Sequence, residues 1–139
     1  MNKKNSATPK KQGNATDTVN TNIQNIRAVK RLRILLHILN SPQGVSEKSI
    51  NIAAKVMSGR NYPTKLKRQN DIQLVYPIVR LKDSEGCPYS LYQLLNAKQA
   101  HKLVKVIIQH CSKYNLDCPE KSWLSALAER FPDRSEIAA

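Results

Sequence analysis

From Thr21 onward, apolar residues recur at helical spacing. In TNIQNIRAVKRLRILLHILN, Ile26, Val29, Leu32, Leu36 and Leu39 step by three and four, and Leu35 widens the stripe. The spacing predicts a helix over 22–39, ended by Asn40-Ser-Pro-Gln-Gly44. A shorter helix follows over 46–56. Ser46 suits its N-cap, although N3 is Ser49 rather than the Glu of a capping box, and Ile50, Ala53, Ala54 and Met57 form its apolar face. After the breaker Ser58-Gly59, a third helix is expected over 61–70, with Pro63 in its first turn and Leu66 as its inward anchor. The period then changes to two. Val79 and Leu81 alternate with Arg80 and Lys82, Asp83-Ser-Glu-Gly86 signals a turn, and Tyr89, Leu91 and Gln93 share a face, which predicts a β-hairpin over 75–94.

The last third is helical again. Asn96 caps AKQAHKLVKVIIQHCSKY, in which Ala97, Ala100, Val104, Ile107, Cys111 and Tyr114 form a strict seam flanked by Leu103 and Ile108. Such a wide surface fits either a partner, most simply a second copy in a homodimer, or packing on the first long helix. A closing short helix carries Trp123, Leu124, Leu127 and Phe131 on one side. It either covers the core or completes a dimer contact. The expected seam, for dimerisation or packing, is therefore Ala100, Val104, Ile107, Cys111, Tyr114, Trp123 and Leu127.

Composition adds a partner class. The 139 residues carry 23 Lys and Arg against 10 acids, a net +13, which exceeds what solubility requires and points to a polyanion. The charge is placed unevenly. Residues 1–80 hold 15 Lys and Arg against three acids, and residues 81–139 hold eight against seven. Residues 1–21 are almost free of apolar side chains and read as a disordered basic arm carrying Lys3, Lys4, Lys10 and Lys11; an inert solubilising tail fits the same composition. No run approaches the ~18 consecutive apolar residues of a membrane span. The polar, charged start lacks the apolar core of a secretory signal, so a cytoplasmic protein is expected.

Catalytic and metal chemistry find little support. Cys87, Cys111 and Cys118 form no CxxC pair, and with His101 and His110 they match no zinc spacing. Asp83 and Glu85 sit in a turn, where acids are ordinary. His110 and Cys111 are sequence neighbours on a helix and point roughly 100° apart. Four glycines supply no phosphate-cradling loop. Neither an enzyme nor a cofactor is expected.

The predicted fold is mainly α with a β-hairpin. Its element order, helix, short helix, tight turn, basic helix, hairpin, is that of a winged helix-turn-helix over 22–95, with a C-terminal helical extension over 96–139. Arg60, Asn61, Thr64, Lys65, Arg68 and Gln69 are the expected base-reading residues, Arg suiting guanine and Asn or Gln suiting adenine. Lys48, Lys67, Arg80 and Lys82 are the expected phosphate contacts. Over residues 30–94 the chain resembles the small winged-helix proteins of bacteriophages and mobile elements. The resemblance runs through RLRILLHIL, Gly59, LKRQNDIQL and VRLKDSEGCPYSLYQL. It implies a recognition helix at Lys65 to Gln69 and a strand-turn-strand from Arg80 to Tyr92, with duplex DNA as partner. The turn SGRNYP departs from it by carrying a proline, and the C-terminal 45 residues lie outside it. The expected function is sequence-specific binding of double-stranded DNA, as a transcriptional regulator or an accessory factor. The alternative is a protein-binding module that docks an acidic partner. RNA is disfavoured by seven aromatics with no stacking strand among them.

Overall fold

The computed structural model describes residues 15–135. Residues 1–14, the greater part of the expected basic arm with all four of its lysines, lie outside them. The described chain is mixed α+β: α1 (Ala15–Leu39), α2 (Glu47–Ala54), α3 (Asn61–Asn70), the antiparallel pair β1 (Val79–Lys82) and β2 (Pro88–Leu91), α4 (Ala97–Tyr114) and α5 (Lys121–Ala128). Among the described residues no helix is long and apolar enough to cross a membrane.

The first helix starts seven residues before the expected position, so Ala15 to Thr21 belong to α1 rather than to an arm. Once a helix is nucleated by packing further along, each added residue fixes one more set of dihedrals for one more hydrogen bond, and polar flanks can follow. The buried stripe of α1 also differs from the expected one. Ala28, Ile34, Leu35, Ile38 and Leu39 are buried, whereas Ile26 stays 56% exposed. The cause is that α1 is central. It contacts α2, α4 and α5, so its apolar surface has to serve three neighbours instead of one.

Local sequence sets the ends of α2. Ser46 accepts from the Ser49 amide while the Ser49 hydroxyl accepts from the Ser46 amide, both at 3.1 Å, so serine closes the capping box that the missing Glu had put in doubt. Of the expected apolar face only Ile50 and Ala54 are buried; Ala53 and Met57 face outward. His37 of α1 reaches this cap, with Nε2 3.1 Å from Ser49 Oγ. Burial holds the His37 imidazole below its ordinary value. The unfolded chain therefore takes up the proton first as pH falls, and this contribution to stability is present above the ordinary value of about 6.5 and lost below it. The thermal midpoint of the wild type should accordingly fall between pH 7.5 and 5.5 more steeply than that of His37→Gln. Parallel profiles would remove His37 from the linkage.

The turn from α2 to α3 is closed by a glycine. A Cβ on Gly59 would lie 2.6 Å from Asn51 Oδ1 and 2.9 Å from the Glu47 carbonyl oxygen, and the Gly59 amide itself donates to Asn51 Oδ1 at 2.8 Å. Another glycine, Gly44, sits at φ 117° against Leu91 and Gln93. It delivers Val45 to the hairpin, where Val45 and Tyr92 exchange amide–carbonyl bonds of 2.9 and 2.7 Å. Strands β1 and β2 pair Arg80 with Ser90 and Leu81 with Tyr89, and the hairpin is largely exposed. Val75 and Leu95 continue the pairing toward the core through bonds to Gln93 and Gln73.

One core joins the helices α1 to α5. Ile34, Leu39, Ile50 and Leu66 pack in the same cluster as Leu103, Val104, Ile107, Leu124 and Phe131, so α4 and α5 share one core with the helices of the expected 22–95 domain. Of the expected seam, Ala100, Val104, Ile107, Cys111 and Leu127 are buried within the single chain, where α1, α4 and α5 pack on one another. Tyr114, at the end of α4, and Trp123 are not: they remain 38% and 50% exposed, and on α5 it is Leu124, Leu127 and Ala128 that define the inward side. The C-terminal segment is tied down by arginines. Arg134 is buried, and its guanidinium donates to the carbonyls of Leu94 at 3.1 Å and Pro42 at 2.6 Å.

Candidate nucleic-acid interface

Helix α3 has two chemically distinct sides. Pro63 and Leu66 are buried, with Tyr62 half buried beside them. At about 100° per residue, Asn61, Thr64, Lys65 and Arg68 fall within roughly one 100° arc on the other side. Asn61, Thr64 and Arg68 are exposed and Lys65 is half buried, with Gln69 exposed on one flank and Lys67 on the other. The sequence NYPTKLKRQN contains no acid, so nothing within the helix neutralises these cations.

Tyrosines hold two of the lysines. Lys65 Nζ lies 5.4 Å above the Tyr62 ring and Lys67 Nζ lies 5.3 Å above the Tyr76 ring. Tyr76 was not among the expected site residues; it is 67% exposed and lines a 380 Å³ hollow with Lys67, Asp71 and Gln73. Its signal in the sequence was a lone aromatic beside Pro77 with no periodic partner, which reads equally well as a loop. The Thr64 hydroxyl donates to the Asn61 carbonyl at 2.9 Å, which leaves its oxygen free to accept.

Arg60 behaves differently from the rest. It stands at the N-cap of α3, and its guanidinium pairs with Glu47 of α2 at 2.8 Å. It lines a cleft of about 590 Å³ between α2 and the hairpin together with Lys48, Arg80, Ser90 and Tyr89. Three of the expected cations therefore meet in one place. Two carboxylates, Glu47 and Asp83, line the same cleft. Asp83 is engaged locally, since its Oδ1 accepts the amides of Glu85 and Cys87 at 2.9 Å each and so forms the hairpin tip. Lys82 shares the Arg80 side of β1 by alternation but lines none of these hollows.

The supports of α3 come from the last third of the chain. Lys102 of α4 donates to the Asp71 carbonyl at the C-cap of α3 at 3.0 Å. Gln99, buried on α4, accepts the Gln73 amide at 2.9 Å. These contacts join α3 and the hairpin base to the buried side of α4.

The Cys111 thiol is buried, and burial together with the nearby Cys118 pushes it up to about 11, so it stays protonated at neutral pH. Among the described residues no group of three His, Cys, Asp or Glu side chains could hold a metal ion.

Fold and surface together define a small α+β protein that presents an acid-free, cation-bearing helix beside an exposed hairpin. The chain belongs to the family described as "Uncharacterised protein PM1773", whose model matches residues 16–137. Comparison with curated proteins and with solved structures finds no match.

Proposed function

We propose that the protein is a winged helix-turn-helix protein that binds double-stranded DNA, with α3 in the major groove and the β1–β2 hairpin as the wing. The observation that carries this reading is the outer side of α3. Asn61, Thr64, Lys65 and Arg68 project from a helix whose opposite side is anchored by Pro63 and Leu66. A helix of this width fits the major groove, and these side chains are donors and acceptors suited to base edges. The pairing of Val45 with Tyr92 supports the reading too, since it ties the segment between α1 and α2 to the hairpin. Lys48 and Arg80 at the cleft, Lys67 beside Tyr76 and Lys82 on the hairpin are the phosphate contacts, and Arg60, expected among the base readers, joins them because it lines the same cleft.

Arg60 acts by exchange: a phosphate that engages it has to displace or share Glu47. The resemblance over residues 30–94 extends the proposal to a transcriptional regulator or an accessory factor of a bacteriophage or mobile element. The alternative, a module docking an acidic protein, drew on the apolar C-terminal seam. Most of that seam is buried inside the chain.

The test starts with duplexes selected from a random pool by the wild type. On the selected sequence, Arg68→Ala should weaken binding by about 1–3 kcal/mol and flatten base preference, while Lys82→Ala should weaken selected and random duplexes alike. Equal losses on both DNAs for both variants would remove α3 as the reader. A wild type without duplex affinity at low salt would remove the function altogether.

A further inference from the structure

The middle of α1, from Arg27 to Arg31, runs beside the last turns of α4, and the two helices build a second cationic surface there. At its centre is His110, 8% exposed, whose Nε2 lies 2.8 Å from the Ala28 carbonyl oxygen. A carbonyl only accepts, so Nε2 carries the proton, and this bond fixes the ring. The Tyr114 ring packs on it with centroids 4.9 Å apart. Around this pair stand Arg27 and Arg31 of α1 and Lys113 of α4. They line two adjoining hollows of about 340 and 300 Å³, which share Arg31, His110 and Tyr114.

Among the described residues no carboxylate lines either hollow. Among the described residues, none of the three cations enters an ion pair. The contrast with the cleft at α2 is direct, since there two acids accompany the cations. Three like charges brought together from two helices repel one another, and an anion held between them removes that cost. Arginine forks suit phosphate oxygens in particular.

We propose that Arg27, Arg31 and Lys113 form a second phosphate-binding surface, which takes the backbone of nucleic acid outside the segment held by α3. The proposal rests on the DNA-binding reading. No residue of α3 or of the hairpin lines these hollows, so the surface adds affinity and salt dependence without reading bases. The phosphates come either from the same duplex, further along, or from a second duplex.

Both sources can be separated with the full-length protein. The first arm measures the dependence of log K on log salt for a selected duplex, using wild type, Arg27→Gln/Arg31→Gln, Lys113→Gln and Arg68→Ala. If the same duplex is held, the slope should shrink by about 0.9 per lost contact, with base preference unchanged. The second arm follows energy transfer between two differently labelled short duplexes. If a second duplex is held, the wild type should bring them together and Arg27→Gln/Arg31→Gln should not. Lys113 is exposed, so its replacement keeps the test valid if the double variant folds poorly. Unchanged slopes together with unchanged energy transfer would overturn the second surface while leaving the effect of Arg68→Ala standing. No loss in Arg68→Ala, or no duplex binding by the wild type, would overturn the underlying reading and this surface with it.

Discussion

Arg134→Ala should lower the free energy of unfolding by about 2–4 kcal/mol, because it removes two charge-assisted hydrogen bonds and leaves two carbonyls without a donor. The carbonyls are those of Pro42, in the connection from α1 to α2, and Leu94, at the base of the hairpin. The Arg134 amide bonds the Leu95 carbonyl at 2.8 Å, so side chain and main chain together fasten the C-terminal segment across both connections. Burial lowers the affinity of this guanidinium for its proton, yet arginine stays charged at neutral pH, and no carboxylate faces it among the described residues. Its charge is met by carbonyl dipoles alone. Arg134→Met keeps much of the buried stem and isolates the guanidinium. It should recover part of the loss and no more. Urea unfolding of the three proteins checks this through the midpoint at unchanged slope. A loss below about 0.5 kcal/mol for Arg134→Ala, the range of an ordinary surface substitution, would mean that the clasp contributes little.

Arg134 also illustrates what the sequence does not disclose. In FPDRSE it looks like any solvated charge, and its burial depends on partners 40 and 92 residues away. The bounds of α3 and α4 were legible because their signals are local: Gly59 and Pro63 around the start of α3, and Asn96 accepting the Gln99 amide at the start of α4. The outer side of α3 was legible for the same reason, since Pro63 and Leu66 mark the inner one. The state of Arg60 was not. Its pairing with Glu47 depends on how closely α2 and α3 approach, and Gly59 sets that approach. Val45 escaped notice because a single paired residue has no period to detect. In α1, Ile34 and Ile38 lie off the expected stripe and are buried because the helix serves three neighbours, a fact of tertiary arrangement that no one-face pattern encodes. Trp123 shares a side with Leu124, Leu127 and Phe131 in the sequence pattern, which fits a core cover or a dimer contact alike; within the chain Leu124, Leu127 and Phe131 are buried and Trp123 stays 50% exposed.

Leu66→Ala should cost about 2–5 kcal/mol of stability, the range for truncating a fully buried leucine. Leu66 is 1% exposed and is the inward anchor of α3 in the shared core. The substitution touches only the inner side of the helix. The Leu66 carbonyl still accepts the Asp71 and Ile72 amides, and Asn61, Thr64, Lys65 and Arg68 keep their places on the outer side. Stability and recognition should therefore separate. At a temperature where Leu66→Ala is folded, its affinity for the selected duplex should stay within a few fold of wild type, while its thermal midpoint drops sharply. Arg68→Ala should behave in the opposite way, with an unchanged midpoint and weakened binding, since Arg68 is exposed and makes no ion pair among the described residues. Calorimetry and a binding isotherm on the same preparations measure both quantities. If Leu66→Ala loses base preference while still folded, the reading surface extends to the inner side of α3 or depends on its exact seating. If Arg68→Ala loses stability instead of affinity, the outer side serves the fold and the proposed interface lies elsewhere.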